Sequence, residues 1–385
     1  MSDKEWRTHN PPGNKRVVVT KELPGRRWLE ILTRAGCKVE ISTSTDILSI
    51  EEIEAAIGDR CDGAIGQLTE DWADKLFTAL KAAGGKVYSN YAVGYNNVDV
   101  DAATNQGIPV GNTPGVLTET TAEMAVALTF AVARRVVEAD RFMRAGSFHG
   151  WLPTLFLGEL FWHKTVGIIG AGRIGAAYAR MMVEGHKMNL IYYDPYQNKA
   201  LEDYVAAYGE FLKTRGEQPV SCGRAESADE VFREADLVSL HPVLDETTHH
   251  LINKERLSVM KEHAILVNTS RGPVIDEAAL VAHCKEHPDF RVGLDVFEDE
   301  PAMKPGLEAL DNVVVVPHIA SATIWTREGM ATLAASNVAA ILLGHPVWQE
   351  GNILPFLGDE APKAAPSIVN ARELGIQVYR KGTRP

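Results

Sequence analysis

The stretch of sequence that most constrains the fold runs from Thr165 to Asp194 and reads TVGIIGAGRIGAAYARMMVEGHKMNLIYYD. A short apolar run leads into Gly170, Gly172 and Gly175, and a second apolar run ends at Asp194. This pattern is typical of a strand, a tight turn, a helix and a second strand that ends on an acid. We therefore predict an α/β chain with a parallel sheet built around this βαβ unit.

Each glycine of this motif has a separate physical role. The first permits the tight turn, the second lets the backbone approach a pyrophosphate, and the third allows the helix to pack closely on the strand. The N–H groups of Arg173 and Ile174 would face the phosphates at the positive end of the helix dipole. Asp194, about 20 residues beyond the glycines, could accept hydrogen bonds from ribose hydroxyls and would repel a 2′-phosphate. The motif thus predicts NAD(H) in preference to NADP(H); the alternative is a doubly wound domain that has lost its ligand.

The composition argues against several classes of protein. The chain of 385 residues is long enough for two domains, and its net charge of −12 argues against a nucleic-acid-binding surface. The four cysteines are far apart and form no CxxC pair, which fits a reduced compartment; we expect neither a disulfide framework nor a metal site. The most apolar helical candidate, Ala122 to Ala133, is too short to cross a bilayer, so we expect no membrane partner.

Hydrophobic runs indicate two parallel sheets. In the N-terminal part, the strand candidates of a small open α/β layer are Arg16 to Thr20, Asp62 to Leu68, Lys86 to Tyr91 and Ile108 to Asn112. From Thr165 onward, the strand candidates of a doubly wound dinucleotide domain are Val166 to Ile169, Leu190 to Tyr193, Leu237 to His241, Ile265 to Asn268, Val292 to Val296 and Val313 to Val316.

The connections carry further predictions. Thr118 to Gly146 reads as one long helix, and the apolar Gly150 to Lys164 segment either lies on its own core or forms an arm that contacts a second subunit. Asn198 to Glu226 reads as an insertion that contains a helix with one apolar face. A helix from Thr326 to Leu343 would return the chain to the first domain, and the tail from Gly351 would cover a surface as an extended strap.

Three short signatures each place a functional group after a predicted strand. Arg271 lies in NTSRGP, Glu300 in DVFEDEP and His318 in PHIAS. A guanidinium can bind a substrate carboxylate in a fork geometry, and an imidazole can deliver a proton to a carbonyl oxygen. A neighbouring carboxylate would hold that ring and favour its charged form. Taken singly, such residues are more often structural; together, at the ligand-binding edge of a parallel sheet, they predict reduction of a 2-keto acid.

The order of these motifs resembles that of the D-isomer-specific 2-hydroxyacid dehydrogenases. The segments NYAVGYNNVDVDAA, GAGRIG, NTSRGPVIDEAAL, LDVFEDEP and PHIASAT match family blocks over nearly the whole chain. Within that family, FMRAGSFHGWLPTLFLGEL and SLHPVLDETTHHL are most similar to the plant-type NADH-dependent hydroxypyruvate reductases. The resemblance implies reduction of hydroxypyruvate to D-glycerate, and of glyoxylate to glycolate, in the photorespiratory glycolate pathway. It also implies a flavodoxin-like substrate domain of residues 1–117 and 322–385 and a Rossmann-type NAD-binding domain of residues 118–321.

The resemblance also assigns roles to single residues. Arg271, Glu300 and His318 fall on the family's catalytic positions, and Arg271 also contacts the substrate. The backbone amides of Val93 and Gly94 fall where the family binds the substrate carboxylate.

The remaining implied roles concern the cofactor and a second subunit. His241, Thr269 and Asp295, together with His318, fall on positions that line the cofactor site. The family forms homodimers through its NAD-binding domains, which favours the arm interpretation. An aromatic side chain of such an arm, Trp151 or Phe156, would reach the neighbouring active site.

Several alternatives stay open. One is an enzyme that prefers glyoxylate or another 2-keto acid, and one of a different class is an NADH-sensing binding protein that resembles the C-terminal-binding corepressors. The plant enzymes imply a peroxisomal location, but the C-terminal RKGTRP is not an SKL-type signal, so a mitochondrial or cytosolic location is also open.

Overall fold

The computed structural model describes residues 6–348, 350–358 and 360–379. The chain divides into two compact units: unit 1 comprises residues 1–117 and 322–385, and unit 2 comprises residues 118–321. The assignment of substrate binding to unit 1 and NAD binding to unit 2 stays a prediction at this point. The C-terminal residues that bear on the peroxisomal signal lie outside the described residues.

Unit 2 is built on a twisted parallel sheet. Its strands are β7 (Thr165–Ile169), β8 (Asn189–Tyr193), β9 (Cys222–Arg224), β10 (Leu237–Leu240), β11 (Ile265–Asn268), β12 (Arg291–Leu294) and β13 (Val313–Val315). The spatial order is β13-β12-β11-β10-β7-β8-β9, and each neighbouring pair is parallel. The order reverses beside β7, as in doubly wound nucleotide-binding domains.

The sequence predicts six strands for this sheet, but the sheet has seven. The additional strand, β9, lies within the segment from Asn198 to Glu226 that the sequence analysis interprets as an insertion. That segment is a crossover: helix α8 (Lys199–Thr214) leaves β8, and β9 returns beside it. The strand has three residues, CGR, and two of them are exposed, so it carries no apolar run that would reveal it. The helix itself packs as predicted, with Leu201, Val205 and Leu212 buried.

Helices cover both faces of the unit 2 sheet. They are α5 (Thr118–Ala133), α6 (Val136–Arg144), α7 (Arg173–His186), α8, α9 (Ala228–Glu234), α10 (Lys254–Val259) and α11 (Glu277–Glu286). Successive side chains of a strand point to opposite faces, so Leu237 and Val238 of β10 belong to two different buried clusters. Because both faces are buried, the strands read as nearly continuous apolar runs.

The predicted helix from Thr118 to Gly146 is not continuous. It ends at Ala133, and α6 begins at Val136 after Arg135, which adopts a left-handed conformation with φ 53°. The Arg135 guanidinium pairs with Glu138 at 2.6 Å across this break. The two parts also differ in environment, because α5 buries seven side chains whereas α6 buries none.

Unit 1 has a smaller sheet with one antiparallel edge. Its strands are β1 (Trp6–His9), β2 (Lys15–Val19), β3 (Cys37–Ser42), β4 (Gly63–Gly66), β5 (Val87–Asn90) and β6 (Val110–Gly111). The order is β1-β3-β2-β4-β5-β6, and β1 pairs with β3 in the antiparallel sense. The five parallel strands have the flavodoxin-like order. Strands β1 and β3 had no predicted counterpart, because polar residues interrupt both of them.

The helices of unit 1 include a long one with most of its residues buried. They are α1 (Arg27–Arg34), α2 (Ile50–Ile57), α3 (Asp74–Ala82), α4 (Val100–Asn105), α12 (Ile324–Leu342) and α13 (Leu354–Leu357). Helix α12 contacts α1, β4 and β5. The tail after it is not a plain strap: it contains α13, and Ile368 forms a bridge with Gly111 at the end of β6.

No helix among the described residues combines the length and the apolar character needed to cross a membrane.

Candidate active site

The glycine turn after β7 has the geometry that its motif requires. Gly170 adopts φ 87°, and a Cβ there would lie 2.7 Å from the carbonyl oxygen of His241. A Cβ on Gly175 would collide with the carbonyl oxygen of Gly170, so helix α7 can approach the turn only because this residue is glycine. By contrast, nothing lies within 4 Å of a Cβ on Gly172. The turn therefore leaves open space at the position where a pyrophosphate would lie.

The start of α7 faces this space with unused donors. Among the described residues, no acceptor receives the N–H groups of Arg173 and Ile174, which begin the helix. The carboxylate of Asp194 is held at the turn, because Oδ2 accepts from the amide of Ala171 and Oδ1 from the amide of Tyr196, each at 2.8 Å. Free N–H groups at a helix N-terminus with an oriented acid beside them fit an NAD pyrophosphate and ribose.

Two further predicted cofactor residues, His241 and Thr269, directly follow the adjacent strands β10 and β11. Nε2 of His241 forms a hydrogen bond with Ser239 Oγ at 2.8 Å, and burial lowers the pKa of this histidine to about 3, so the ring is neutral at pH 7. The hydroxyl of Thr269, directly after β11, is buried and has no hydrogen-bond partner within the described chain. A buried hydroxyl without a partner is unfavourable unless a ligand supplies one, which supports the fit to a cofactor.

Sequence reasoning missed a basic residue beside the ribose acid. The guanidinium of Arg224 donates to the carbonyl oxygens of Asp194 and Pro195, each at 3.1 Å. Arg224 ends β9, the strand that had no recognisable apolar run. An arginine near this acid is the group that accommodates a 2′-phosphate in NADP-binding domains.

The structure brings the predicted catalytic histidine and glutamate together. Nδ1 of His318 lies 2.9 Å from Oε2 of Glu300, and Oε1 of Glu300 accepts from the amide of Phe297 at 3.0 Å. Burial raises the pKa of the Glu300 carboxyl, but the hydrogen bond and charge of His318 and the charge of Arg271 outweigh burial and leave the pKa below its ordinary value. The carboxylate therefore stays ionised and fixes one nitrogen of the ring, which leaves Nε2 for chemistry.

The guanidinium of Arg271 is strongly desolvated. Burial lowers its pKa, and the charge of Glu300 opposes that effect. One of its nitrogens donates to the carbonyl oxygen of Ser270 at 2.7 Å. The next residue, Gly272, packs so closely on the carbonyl of Phe297 that any Cβ would collide with it. This contact brings the Arg271 loop against the loop that carries Glu300.

Asp295 anchors the loop of His318, the predicted proton donor. Its carboxylate accepts from the amides of Ile319 at 2.6 Å and Ala320 at 2.9 Å, and its carbonyl accepts from the amide of His318 at 2.9 Å. Burial raises the pKa of Asp295, although both amides and the charge of His318 oppose the rise. These bonds hold His318 in a left-handed conformation with φ 53°. The predicted contact of Asp295 with the cofactor stays a prediction beside this observed structural role.

A second anchoring acid was not singled out from the sequence. Glu277, at the start of α11, is only 2% exposed and accepts from the amides of Glu298 at 2.8 Å and Lys304 at 2.7 Å. It therefore clamps both ends of the loop that carries Glu300. The sequence signal was an acid in the first turn of a helix, which ordinarily indicates only a favourable dipole interaction.

In unit 1, the predicted carboxylate-binding loop presents three N–H groups. The carbonyl oxygen of Ala92 accepts from the amide of Thr113 at 2.9 Å, that of Val93 from Asn112 Nδ2 at 2.8 Å, and that of Gly94 from Asn90 Nδ2 at 3.1 Å. In a trans peptide, the next N–H points away from the carbonyl. The N–H groups of residues 93, 94 and 95 thus point away from these anchors, and no described residue accepts them.

The arm candidate from Gly150 to Lys164 exposes most of its large apolar side chains. Among them are Trp151 (80% exposed), Leu160 (69%) and Trp162 (61%), whereas Phe161 is buried. The interpretation of a loop lying on its own core is therefore wrong for most of these side chains. The role of Trp151 at a neighbouring active site stays a prediction.

Known proteins share this combination of features. Residues 126–320 match the family model described as "D-isomer specific 2-hydroxyacid dehydrogenase, NAD binding domain". The chain is 65% identical over 376 residues to "Glycerate dehydrogenase HPR, peroxisomal" of Arabidopsis thaliana, an alignment that covers 97% of each protein. The chain belongs to the D-isomer-specific 2-hydroxyacid dehydrogenase family.

A second curated protein and a solved structure are also similar to this chain. "Glycerate dehydrogenase" of Cucumis sativus is 65% identical over 370 residues, which cover 95% of this chain and 97% of that protein. The crystal structure of a protein from Thermus thermophilus has a TM-score of 0.75 at 38% identity and covers 86% of this chain and 97% of that one. The protein is thus an NAD(H)-dependent dehydrogenase. No cluster of three or more His, Cys, Asp or Glu suited to a metal occurs in the described part of the chain.

Proposed function

We propose that the protein reduces hydroxypyruvate to D-glycerate with NADH, and glyoxylate to glycolate as a second reaction. The observation that carries the proposal is the Glu300–His318 pair at 2.9 Å, on loops next to the partly buried, desolvated Arg271 and after the strands of an NAD-binding domain. The relatives at 65% identity are named glycerate dehydrogenases, which favours hydroxypyruvate among the 2-keto acids. The same proposal includes a role in the photorespiratory recycling of glycolate.

The proposed mechanism distributes three tasks among the side chains of this protein. Arg271 binds the substrate carboxylate and polarises the adjacent carbonyl, and the N–H groups of Val93 and Gly94 serve as the carboxylate-binding donors that the family resemblance implies for unit 1. When bound, NADH supplies the hydride that is transferred to the keto carbon. His318 donates its Nε2 proton to the carbonyl oxygen, so the ketone becomes an alcohol, and Glu300 stabilises the imidazolium before this transfer. Desolvation around Arg271 strengthens each of these electrostatic interactions.

The residues proposed to hold the cofactor also predict its type. The N–H groups of Arg173 and Ile174 would bind the pyrophosphate, and Asp194 the ribose hydroxyls, with Gly170, Gly172 and Gly175 providing the space. His241, Thr269, Asp295 and His318 complete the proposed lining. Because Asp194 would repel a 2′-phosphate, we expect NADH to be preferred over NADPH.

Steady-state kinetics test the reaction directly. We expect kcat/KM to be highest for hydroxypyruvate with NADH, lower for glyoxylate, and lowest for pyruvate, each measured with NADH and NADPH by absorbance. A higher kcat/KM for glyoxylate would favour the second candidate, for which several relatives at about 40% identity are named glyoxylate reductases. The absence of turnover with every 2-keto acid would overturn the enzyme proposal in favour of a nucleotide sensor.

We further propose that the protein is a homodimer through unit 2. The exposed tryptophans and leucines between Gly150 and Lys164 form an apolar surface that is costly to leave in water. A light-scattering mass of one chain at micromolar concentration would contradict this assignment.

A further inference from the structure

Asn112 occupies the centre of a buried hydrogen-bond network in unit 1. Its side chain is 7% exposed, and both ends of its amide are used. Nδ2 donates to the carbonyl oxygen of Val93 at 2.8 Å, and Oδ1 accepts from the hydroxyl of Ser367 at 2.6 Å. A carbonyl can only accept, so only the NH₂ end of the amide can face Val93. The hydroxyl of Ser367 is therefore the donor that satisfies the opposite end.

Ser367 belongs to the C-terminal segment, which is itself fixed to the end of β6. The amide of Ser367 donates to Asn337 Oδ1 at 2.9 Å, and Asn337 Nδ2 donates to the carbonyl of Asn112, also at 2.9 Å. The amide of Val110 donates to Asn370 Oδ1 at 2.8 Å. Helix α12, strand β6 and the tail thus meet at Asn112, and each polar atom of its side chain is given a defined direction.

We propose that Ser367 and Asn112 are positioning residues for the substrate carboxylate, a role that rests on the proposed function of Val93 and Gly94. The Ser367 hydroxyl orients the Asn112 amide, and that amide holds the Val93 carbonyl. Because the Val93 carbonyl and the Gly94 N–H belong to one planar peptide, holding the first aims the second. Through Ser367, the C-terminal segment therefore helps to position the carboxylate-binding N–H groups, in addition to packing on the sheet.

A hydrogen-bond network with a purely structural role would respond differently to mutation from one that positions the Gly94 N–H. General loosening of the tail would lower the unfolding temperature and affect all kinetic constants together. A misdirected Gly94 N–H would weaken substrate binding while leaving the cofactor residues of unit 2 unchanged. A rise in KM for the keto acid with an unchanged KM for NADH would therefore indicate a positioning role, whereas a rise in both would indicate a purely structural one.

The test compares Ser367→Ala with Ser367→Thr in the full-length enzyme. We expect Ser367→Ala to raise KM for hydroxypyruvate about fivefold, which corresponds to one hydrogen bond of about 1 kcal/mol, with KM for NADH unchanged. Ser367→Thr keeps the hydroxyl and should restore the wild-type KM. If the alanine variant does not fold, Ser367→Cys, a weaker donor of similar size, should give an intermediate KM for the keto acid.

The matched control is Thr104→Val. The Thr104 hydroxyl accepts from Asn370 Nδ2 at 2.9 Å, so this variant loosens the same tail without touching Asn112 or Val93. We expect both its KM values to stay within about twofold of wild type, since the two bonds that are lost, to Asn370 and to the carbonyl oxygen of Val100 at 2.7 Å, do not involve Asn112. An unchanged KM in Ser367→Ala, or an equal rise in Thr104→Val, would overturn the inference while leaving the proposed reaction intact. A wild-type enzyme that does not reduce hydroxypyruvate would refute the proposed reaction, and this inference with it.

Discussion

The candidate functional regions of unit 2 and of unit 1 are each held in place by different chemical groups. In unit 2, carboxylates anchor the catalytic loops: Glu277 clamps the loop of Glu300, Asp295 anchors the loop of His318, and Glu300 itself binds the imidazole. In unit 1, neutral amides do the corresponding work, with Asn90 and Asn112 holding the carbonyls of the carboxylate-binding loop. A catalytic proton requires charges that tune and orient its donor, whereas a cradle for an anionic substrate is best built without negative charge.

This difference has a consequence for the dependence on pH. Carboxylates titrate in the acidic range, and the environment of unit 2 shifts the pKa of Asp295 upward and that of Glu300 downward. Asparagine side chains do not titrate. The region around Glu300 and His318 should therefore respond to acid and to loss of charge, and the predicted carboxylate-binding loop only to loss of hydrogen-bond geometry.

The largest effect is expected from His318→Ala. Removal of the proton donor should lower kcat for hydroxypyruvate about 10³-fold, in line with general acid catalysis by histidine. NADH affinity, measured by quenching of protein fluorescence, should stay within a few-fold, because the proposed pyrophosphate and ribose contacts are untouched. His263→Ala, at an exposed position outside these contacts, is the matched control. Near-normal turnover in His318→Ala would show that another group donates the proton. The contrast between a charged region of unit 2 and a neutral loop of unit 1 would then have no connection with catalysis.

A smaller effect is expected from Glu300→Gln, which keeps the shape of the side chain and removes its charge. We expect kcat/KM to fall about 10- to 100-fold, since the variant no longer stabilises the imidazolium but keeps His318 as the proton donor.

The same substitution should change how stability depends on pH. The pKa of Glu300 is lowered in the folded state, so the contribution of this carboxylate to the free energy of unfolding is present above the ordinary value of 4.5 and is lost as pH falls through the lowered pKa.

The free energy of unfolding in urea at several pH values gives the second readout. The advantage of wild type over Glu300→Gln should shrink as the pH falls below about 4.5. The same pH series on Asn112→Ala should show a constant difference, because no titrating group is removed. A difference that shrinks equally in both variants would contradict the contrast between a charged and a neutral region.

How much could be predicted from the sequence depended on how locally each feature is encoded. The turn at Gly170 and the adjacency of Glu300 and His318 followed from short motifs at the ends of parallel strands, where topology brings side chains together. The partnership of Asn112 with Ser367 spans 255 positions and involves single polar residues without any period, so no local pattern announces it. The break at Arg135 was hidden because both flanking segments have helical character and only their burial differs.

Because strand β9 was not predicted, the position of Arg224 near Asp194 was not predicted either. The three residues of this strand have no apolar run, because it is an edge strand with two exposed positions. Once its crossover was read as an insertion, Arg224 had no predicted place beside β8. The structure puts its guanidinium next to the backbone of Asp194, the residue on which cofactor preference was predicted to depend.

A further effect, on the choice of cofactor, is expected at this acid and its neighbour, and it extends the comparison to the predicted cofactor-binding residues of unit 2. Asp194→Ser should raise the ratio of kcat/KM with NADPH to that with NADH about tenfold, equivalent to about 1.4 kcal/mol, because repulsion of the 2′-phosphate is removed. Arg224→Gln in the Asp194→Ser background should reduce that gain, since the guanidinium that could bind the phosphate is lost. Arg233→Gln, at an exposed position of α9, is the matched control for loss of positive charge. An unchanged ratio of kcat/KM in Asp194→Ser would show that the charge of this residue does not select the cofactor. Equal reductions of that ratio by Arg224→Gln and Arg233→Gln would show that net charge matters and that the position of Arg224 does not.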